Sequence, residues 1–154
     1  MDKIHACFKR SGLKLSVAES CTGGFISHLI TALPGASLFF DSSIISYSNE
    51  SKIKLLGISE SLIRKHGAVS EEVARAMAAA IRKKRKTDYS LSTTGNLGPD
   101  PMEGKKVGLV YMAVDRGNET VSRGVLFDGT REEIKQRAAL SALQLLSEVV
   151  EGWR

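Results

Sequence analysis

Apolar residues recur along the chain with two spacings. In some segments they alternate with polar residues, as in a strand, and in others they recur at helical spacing. Leu13, Leu15 and Val17 alternate with polar residues, and a polar, glycine-containing turn follows them before apolar residues resume at helical spacing. This pattern predicts a strand, a tight turn and a helix. The same reasoning predicts strands at 13–17, 43–47, 89–93, 107–114 and 120–127, and helices at 2–11, 24–33, 49–56, 59–66 and 70–86, with a last helix that starts at 130 and includes Val149.

The order of these elements predicts the fold class. Helices alternate with strands until the hairpin formed by 107–114 and 120–127, so we predict a three-layer α/β/α sandwich with a mixed, mostly parallel sheet. The last helix should begin with a capping box, in which Thr130 is the N-cap and Glu133 is its partner. With 154 residues, 42% of them hydrophobic, we expect one domain spanning residues 1–154.

Three polar loops follow predicted strands, at 19–24, 47–52 and 94–106. Ligands of such sheets lie beyond the carboxyl ends of the strands, so these loops are predicted to meet at one pocket. In the first loop, Gly23 and Gly24 stand where a helix begins, a position that favours an anion. The simpler alternative is that Ser20 or Thr22 only caps this helix, with Glu19 in solvent.

The charge and composition of the chain limit the kinds of molecule that it is expected to bind. A formal charge of +5 and a pI near 9.3 suit an anionic partner. Much of this charge lies in the run at 82–86, where cations complement the dipole of a helix C-terminus, and we do not expect nucleic-acid binding because no aromatic residues are interspersed. No apolar run approaches the roughly 20 residues that cross a bilayer, so we expect a soluble, cytoplasmic protein without a membrane partner.

Cysteine and histidine positions suggest no metal site. Cys7 and Cys21 lack a metal-ligand pattern, and a single pair is not a disulfide framework, so we expect reduced thiols. Cys21 adjoins Ser20, but a small buried thiol is a better interpretation than a thiolate nucleophile. The histidines are scattered at 5, 28 and 66, which favours neither a histidine-based triad nor zinc.

Seven segments together carry a family resemblance. They are AESCTGG (18–24), PGAS (34–37), YSNESK (47–52), LLGIS (55–59), HGAVSEEVARAM (66–77), TTGNLGP (93–99) and VG (107–108). In this order and spacing they resemble the CinA C-terminal domain family, whose active members hydrolyse the amide of nicotinamide mononucleotide. The resemblance covers nearly the whole chain and is to the stand-alone form of the domain.

The resemblance implies a serine amidohydrolase that uses neither metal nor cofactor and forms nicotinate mononucleotide and ammonia. Ser20 matches the family's nucleophile, Lys52 its general base, and Tyr47 a tyrosine that supports the pair. Backbone N–H groups near Thr22, Gly23 and Gly24 would bind the oxyanion. The remaining expected substrate-binding residues are Asn49 and, for the phosphate, Thr94, Gly95 and Arg131, with Lys105, Lys106, Lys135 and Arg137 as weaker candidates. We also expect a homo-oligomer, a dimer or larger.

Two segments depart from the family pattern. The loop at 95–108 reads GNLGPDPMEGKKVG, where the family usually reads like GIAGPGGGTPEKPVG. The segment at 129–137 reads GTREEIKQR in place of a GDREAVR-like pattern, keeping Arg131. An alternative function is therefore a non-catalytic nucleotide-binding or protein-interaction module of the same fold. Glu19 could orient Ser20 or Lys52, or pair with a surface cation.

Overall fold

A five-stranded sheet organises the computed structural model, which describes residues 1–152. Its order is β2-β1-β3-β4-β5. Strand β1 pairs in parallel with both β2 and β3, whereas β4 is antiparallel to both β3 and β5, so four of the five strands run in one direction. The predicted mixed, mostly parallel sheet is confirmed. The strands are β1 (Leu15–Glu19), β2 (Phe40–Ile45), β3 (Tyr89–Gly95), β4 (Leu109–Asp115) and β5 (Thr120–Leu126).

Helices cover both faces of this sheet. Along β1, Val17 packs with residues of α1, α2 and α6, while the next residue, Ala18, packs with α5 on the opposite face. This alternation follows from the two-residue period of a strand, and it confirms the predicted three-layer sandwich. The helices are α1 (Asp2–Ser11), α2 (Phe25–Thr31), α3 (Asn49–Leu56), α4 (Glu60–His66), α5 (Glu71–Arg85) and α6 (Arg131–Glu151), with a short 3₁₀ helix at Ala36–Leu38.

Capping side chains fix where the helices start. Ser48 accepts a hydrogen bond from the backbone of Ser51, whose hydroxyl accepts one in return at the start of α3. Thr130 and Glu133 form the predicted capping box of α6. Capping satisfies N–H groups that have no partner inside the helix. The capping box thereby fixes the residue at which α3 begins, and with it the position of Lys52, the candidate base, on the helix.

The second strand differs from its prediction. We predicted 43–47, but β2 spans Phe40–Ile45 and includes the polar residues 41–43. It lies at an edge of the sheet and most of its side chains are half-buried, so it lacks a clear apolar alternation. Tyr47 consequently lies two residues beyond the end of the strand instead of at its last position.

The basic run at the end of α5 is partly used in ion pairs. Arg82 pairs with Asp115 at the end of β4, and Arg85 pairs with Asp41 of β2 at 2.8 Å. These contacts attach the helix end to two strands of the sheet. Among residues 1–152, no helix is both long enough and apolar enough to cross a membrane.

Candidate active site

Ser20 stands directly after β1, where the strand opens into a turn. Its backbone N–H donates to the carbonyl of Thr93 at 3.1 Å, which continues the pairing of β1 with β3 by one residue. The side chain is 6% exposed and lines a cavity at the carboxyl end of the strand. The sheet therefore presents this hydroxyl at the edge where ligands of α/β proteins bind.

Lys52 of α3 is buried against this hydroxyl. Its ammonium nitrogen Nζ donates to Ser20 Oγ at 2.8 Å and to the carbonyl of Ser46 at 2.9 Å, and the residue is only 1% exposed. Burial lowers the pKa of Lys52 to about 8, although the charge of Glu103 partly opposes that shift. With that pKa, about one tenth of the amines are neutral at pH 7, and a neutral amine can accept the serine proton.

Glu19 lies neither in solvent nor beside a surface cation, and among the described residues it forms no hydrogen bond with the side chain of Ser20 or Lys52. It is fully buried, and its carboxylate accepts hydrogen bonds from the backbone of Gly24, Ile26 and Ser27 and from two hydroxyls, those of Thr22 and Ser27. It therefore caps the start of α2, and the predictions of a solvent-exposed or surface-paired carboxylate are wrong. Neither Ser20 nor Thr22 is the N-cap of α2, which is Gly24.

The turn after Ser20 leaves few free backbone donors. Gly23 donates its N–H to the carbonyl of Ser20 at 3.0 Å, and Gly24 donates to Glu19 at 3.0 Å. In the described part of the chain, the N–H groups of Cys21 and Thr22 donate to no other residue. The Thr22 hydroxyl is also engaged, since it donates to Glu19 at 2.6 Å. Of the predicted oxyanion donors, the structure thus leaves Thr22 N–H without an acceptor, but Thr22 is fully buried and outside the cavity lining; the N–H of Cys21, which lines the cavity, is added.

The two cysteines are free and buried. Cys21 lines the cavity, but burial raises the pKa of its thiol to about 12, so the sulfur is protonated at neutral pH and is a poor nucleophile. Over residues 1–152, no three His, Cys, Asp or Glu side chains are close enough together to hold a metal ion.

The three polar loops do meet at one cavity, with a volume of about 160 Å³. A fourth segment, Ala68 and Val69 between α4 and α5, forms part of its wall and was not predicted. Thr22, Gly23 and Gly24 lie outside the lining. The predicted residues that line the cavity are Ser20, Tyr47, Asn49, Lys52, Thr94, Gly95 and Arg131; sequence reasoning missed Ala68, Val69, Asn96, Leu97, Gly98 and Met102.

Tyr47 and Arg131 meet at the mouth of the cavity. The guanidinium of Arg131 donates to the phenol oxygen of Tyr47 at 2.7 Å and to the carbonyl of Gly98. Tyr47 is 58% exposed and, within residues 1–152, forms no hydrogen bond with Ser20 or Lys52. The phenol therefore contacts the candidate phosphate-binding residue instead of the serine and lysine.

Thr94 and Asn96 shape the cavity from the end of β3. The Thr94 hydroxyl donates to the carbonyl of Ala68 at 2.7 Å. The Asn96 amide donates to the carbonyl of Asp100 at 3.0 Å, and its oxygen accepts from the N–H of Gly98 at 2.9 Å. Asn96 could have been noticed as an asparagine inside a turn-rich loop, because such residues often bond their own backbone.

The four weaker phosphate candidates do not line the cavity. Lys105 donates to the backbone carbonyls of His66 and Val69. Lys106 lines a separate surface pocket beside Phe127. In α6, Lys135 pairs with Glu132 at 3.4 Å and Arg137 pairs with Asp128 at 2.6 Å. The α6 cation at the cavity is therefore Arg131.

Comparison with known proteins agrees with this architecture. A family model described as the CinA C-terminal domain matches residues 1–150. A CinA-like protein of Syntrophomonas wolfei is 44% identical over 144 residues, which are 93% of this chain and 35% of that protein. A CinA-like protein of Endomicrobium trichonymphae is 47% identical over 133 residues, 86% of this chain and 31% of that protein. The chain thus spans about a third of the length of these curated relatives.

Solved structures resemble the whole described fold. Competence damage-inducible protein A (ComA) from Klebsiella pneumoniae superposes with a TM-score of 0.96 at 28% identity, covering 99% of this chain and 96% of that one. A competence or damage-inducible protein from Enterobacter asburiae gives a TM-score of 0.94 at 31% identity, covering 97% and 94%. The fold class predicted from the sequence is confirmed.

Proposed function

The chain belongs to the CinA C-terminal domain family, and we propose that it is a nicotinamide mononucleotide amidase that acts through Ser20. The reaction would hydrolyse the carboxamide to nicotinate mononucleotide and ammonia. The observation that carries this proposal is the 2.8 Å contact between Lys52 Nζ and Ser20 Oγ, because a serine hydroxyl attacks an amide only when a neighbouring group removes its proton.

The contact has the features that such a pair requires. Lys52 is buried and its pKa is lowered to about 8, which places a usable fraction of neutral amine near physiological pH. The carbonyl of Ser46 accepts a second hydrogen bond from Nζ, so the amine is held on the serine. In the first step the proton would pass from Ser20 Oγ to Lys52 Nζ as Oγ bonds to the amide carbon.

The later steps use the same groups. The tetrahedral intermediate carries an oxyanion, for which the free N–H group of Cys21 at the cavity wall is the candidate donor. Protonated Lys52 would then give its proton to the departing nitrogen, so that ammonia leaves and an acyl ester remains on Ser20. Water, deprotonated by the now neutral lysine, would then attack the ester, and Lys52 would return the proton to Ser20 Oγ as the carboxylate is released.

Cavity size and charge fit the two ends of the proposed substrate. The volume of about 160 Å³ is below the usual 300 to 1,000 Å³ of a small-molecule pocket. It suits the ring and amide alone, so the ribose and phosphate would lie toward the mouth. There Arg131, held by Tyr47 and Gly98, offers a planar donor for a phosphate.

The proposal is tested by incubating the protein with nicotinamide mononucleotide, without added metal, and quantifying ammonia and nicotinate mononucleotide. Equal amounts of the two products are expected. If calorimetry instead shows that the folded protein binds the nucleotide while neither product forms, the alternative of a non-catalytic nucleotide-binding module is favoured.

A further inference from the structure

Two charged side chains of the β3–β4 loop grip the backbone of the segment between α4 and α5. The Glu103 carboxylate accepts hydrogen bonds from the N–H groups of Ala68 at 2.9 Å and Val69 at 3.2 Å. From the same loop, the Lys105 ammonium donates to the carbonyls of His66 and Val69. Ala68 and Val69 line the cavity, so we call this pair of residues the Glu103–Lys105 clasp.

The loop adopts a demanding conformation to form the clasp. Met102 and Lys105 pair through two backbone hydrogen bonds, of 3.3 and 2.8 Å. Between them, Glu103 and Gly104 have φ values of +54° and +69°, the positive values that a type I′ turn requires. Asparagine, aspartate or glycine normally occupies the first of these positions, whereas glutamate is disfavoured there. A disfavoured residue held in place by its own side-chain contacts points to a function for that side chain.

The segment that Glu103 and Lys105 contact leaves room for their side chains because it begins with Gly67. Gly67 has a φ of +80°, and a Cβ atom at this position would collide with the Glu103 carboxylate and approach Lys105 Nζ within 2.8 Å. In addition, the Thr94 hydroxyl donates to the carbonyl of Ala68. The Ala68–Val69 segment is thus fixed by one side chain of β3 and two of the β3–β4 loop, which also places Met102 at the cavity.

We propose that Glu103, together with Lys105, is a positioning residue that holds the Ala68–Val69 wall against the bound substrate. This inference rests on the proposed amidase function for its kinetic consequences, but its structural part does not. Glu103 touches no group that the mechanism above assigns to proton transfer. Its effect on substrate binding is transmitted through the backbone to which it is hydrogen-bonded.

The first test is hydrogen exchange of the Ala68 and Val69 amides, read by NMR in the wild type, Glu103→Gln and Lys105→Met. Both variants should exchange these two amides about tenfold faster or more, because loss of the clasp makes local opening easier. Glu60→Gln, which alters an exposed ion pair on α4, is the matched control and should leave these two amides unchanged. Unchanged exchange in Glu103→Gln would overturn the proposal.

The second test is kinetic. In Glu103→Gln we expect KM for nicotinamide mononucleotide to rise about five- to tenfold while kcat falls less, since a loosened wall weakens binding more than proton transfer. Faster amide exchange with an unchanged KM would mean that the clasp is only structural and would also overturn the proposal. If the wild type shows no turnover, the proposed function has failed; amide exchange and the calorimetric affinity for the nucleotide then decide the clasp separately.

The dependence of kcat/KM on pH distinguishes the loss of the Glu103 charge from a general loosening of the Ala68–Val69 wall. Of the charged and titratable groups, Glu103 acts electrostatically on Lys52, Cys21, Tyr47 and Arg131 line the same cavity, and Lys105 pairs with Glu103 at 3.8 Å. Because the Glu103 charge raises the pKa of Lys52, Glu103→Gln should move the acidic limb of kcat/KM to lower pH, whereas Lys105→Met should not. The same displacement in both variants would contradict an individual role for Glu103.

Discussion

Lys52 Nζ lies 2.8 Å from Ser20 Oγ although the two residues are 32 positions apart in the chain. Neighbouring strands produce this contact: Ser20 follows β1, and the Ser46 N–H after β2 donates to the carbonyl of Glu19 at 2.8 Å. The chain then turns into α3, whose capped first turn brings Lys52 back over the end of β1. The sheet and one capping box thus create the pair on which the proposed chemistry depends.

The activity should rise with pH through the pKa of Lys52. The amine must be neutral to accept the serine proton, and burial lowers its pKa to about 8. We therefore expect kcat/KM to increase about tenfold per pH unit below pH 7 and to level off above pH 8 to 9. A profile of kcat/KM between pH 5.5 and 10 tests this, and a flat acidic region would contradict Lys52 as the base.

Replacing the buried lysine should stabilise the protein while abolishing activity. The pKa of Lys52 is lower in the folded state (about 8) than its ordinary value of 10.5, so the unfolded chain binds more protons between these values. The Lys52 contribution to wild-type stability should consequently rise from pH 8 to 10.5, and above pH 9 the buried Cys21 thiol, whose pKa is raised from 9.0, opposes this rise. At pH 7, Lys52→Met should raise the free energy of unfolding by about 1–3 kcal/mol, measured by urea denaturation.

The control for that experiment is Lys54→Met on the same helix, where the side chain is 72% exposed. Its ion pair with Glu50 should contribute little. If Lys52→Met proved less stable than the wild type at pH 7, the burial of the lysine would not carry the energetic cost that we infer.

Glu19 should be among the most important polar residues for stability. Its carboxylate accepts five hydrogen bonds, three of them from the backbone at the start of α2. In Glu19→Gln the amide NH₂ would face N–H donors, which should lower the free energy of unfolding by about 2–4 kcal/mol. Glu50→Gln, in an exposed pair, should change it by less than about 0.5 kcal/mol. If Glu19→Gln lowered the free energy of unfolding no more than Glu50→Gln does, the Glu19 carboxylate would not be needed for stability.

Arg131 should contribute to affinity for the phosphate and little to the chemical step. We expect Arg131→Gln to raise KM for nicotinamide mononucleotide about tenfold with a small change in kcat. The effect should disappear when the phosphate-free nucleoside is the substrate. Arg123→Gln, which breaks an ion pair between β5 and α6, is the matched control. Equal losses with both substrates would argue against phosphate binding at Arg131.

Local signals in the sequence were sufficient for most elements. Capping residues such as Ser48, Ser70 and Thr130 stand next to clear helical periods, and each starts a helix in the structure. Strand β2 was misplaced because an edge strand is half-exposed, so residues 41–43 look like a loop. The convergence of three loops followed from the position of parallel strand ends, which is a property of the fold class.

Side-chain contacts between distant loops could not be predicted. Glu19 looks like an ordinary polar residue because its partners are backbone N–H groups that the turn gathers only after folding. Likewise, Glu103 and Lys105 are charged residues in a polar loop, and nothing in their spacing identifies the backbone of Ala68 and Val69 as their partner. The Ser20 and Lys52 assignments came from the family resemblance and not from periodicity.

The role of Ser20 is tested most directly by acid-quenched turnover of nicotinamide mononucleotide, comparing the wild type, Ser20→Ala and Ser61→Ala, an exposed serine on α4. In the wild type, ammonia and nicotinate mononucleotide should form at the same rate as each other. Ser61→Ala should show the wild-type rate for both products. Ser20→Ala, shown to be folded by its unfolding transition, should lose at least about 10³-fold in kcat. Wild-type turnover by Ser20→Ala would contradict the serine mechanism.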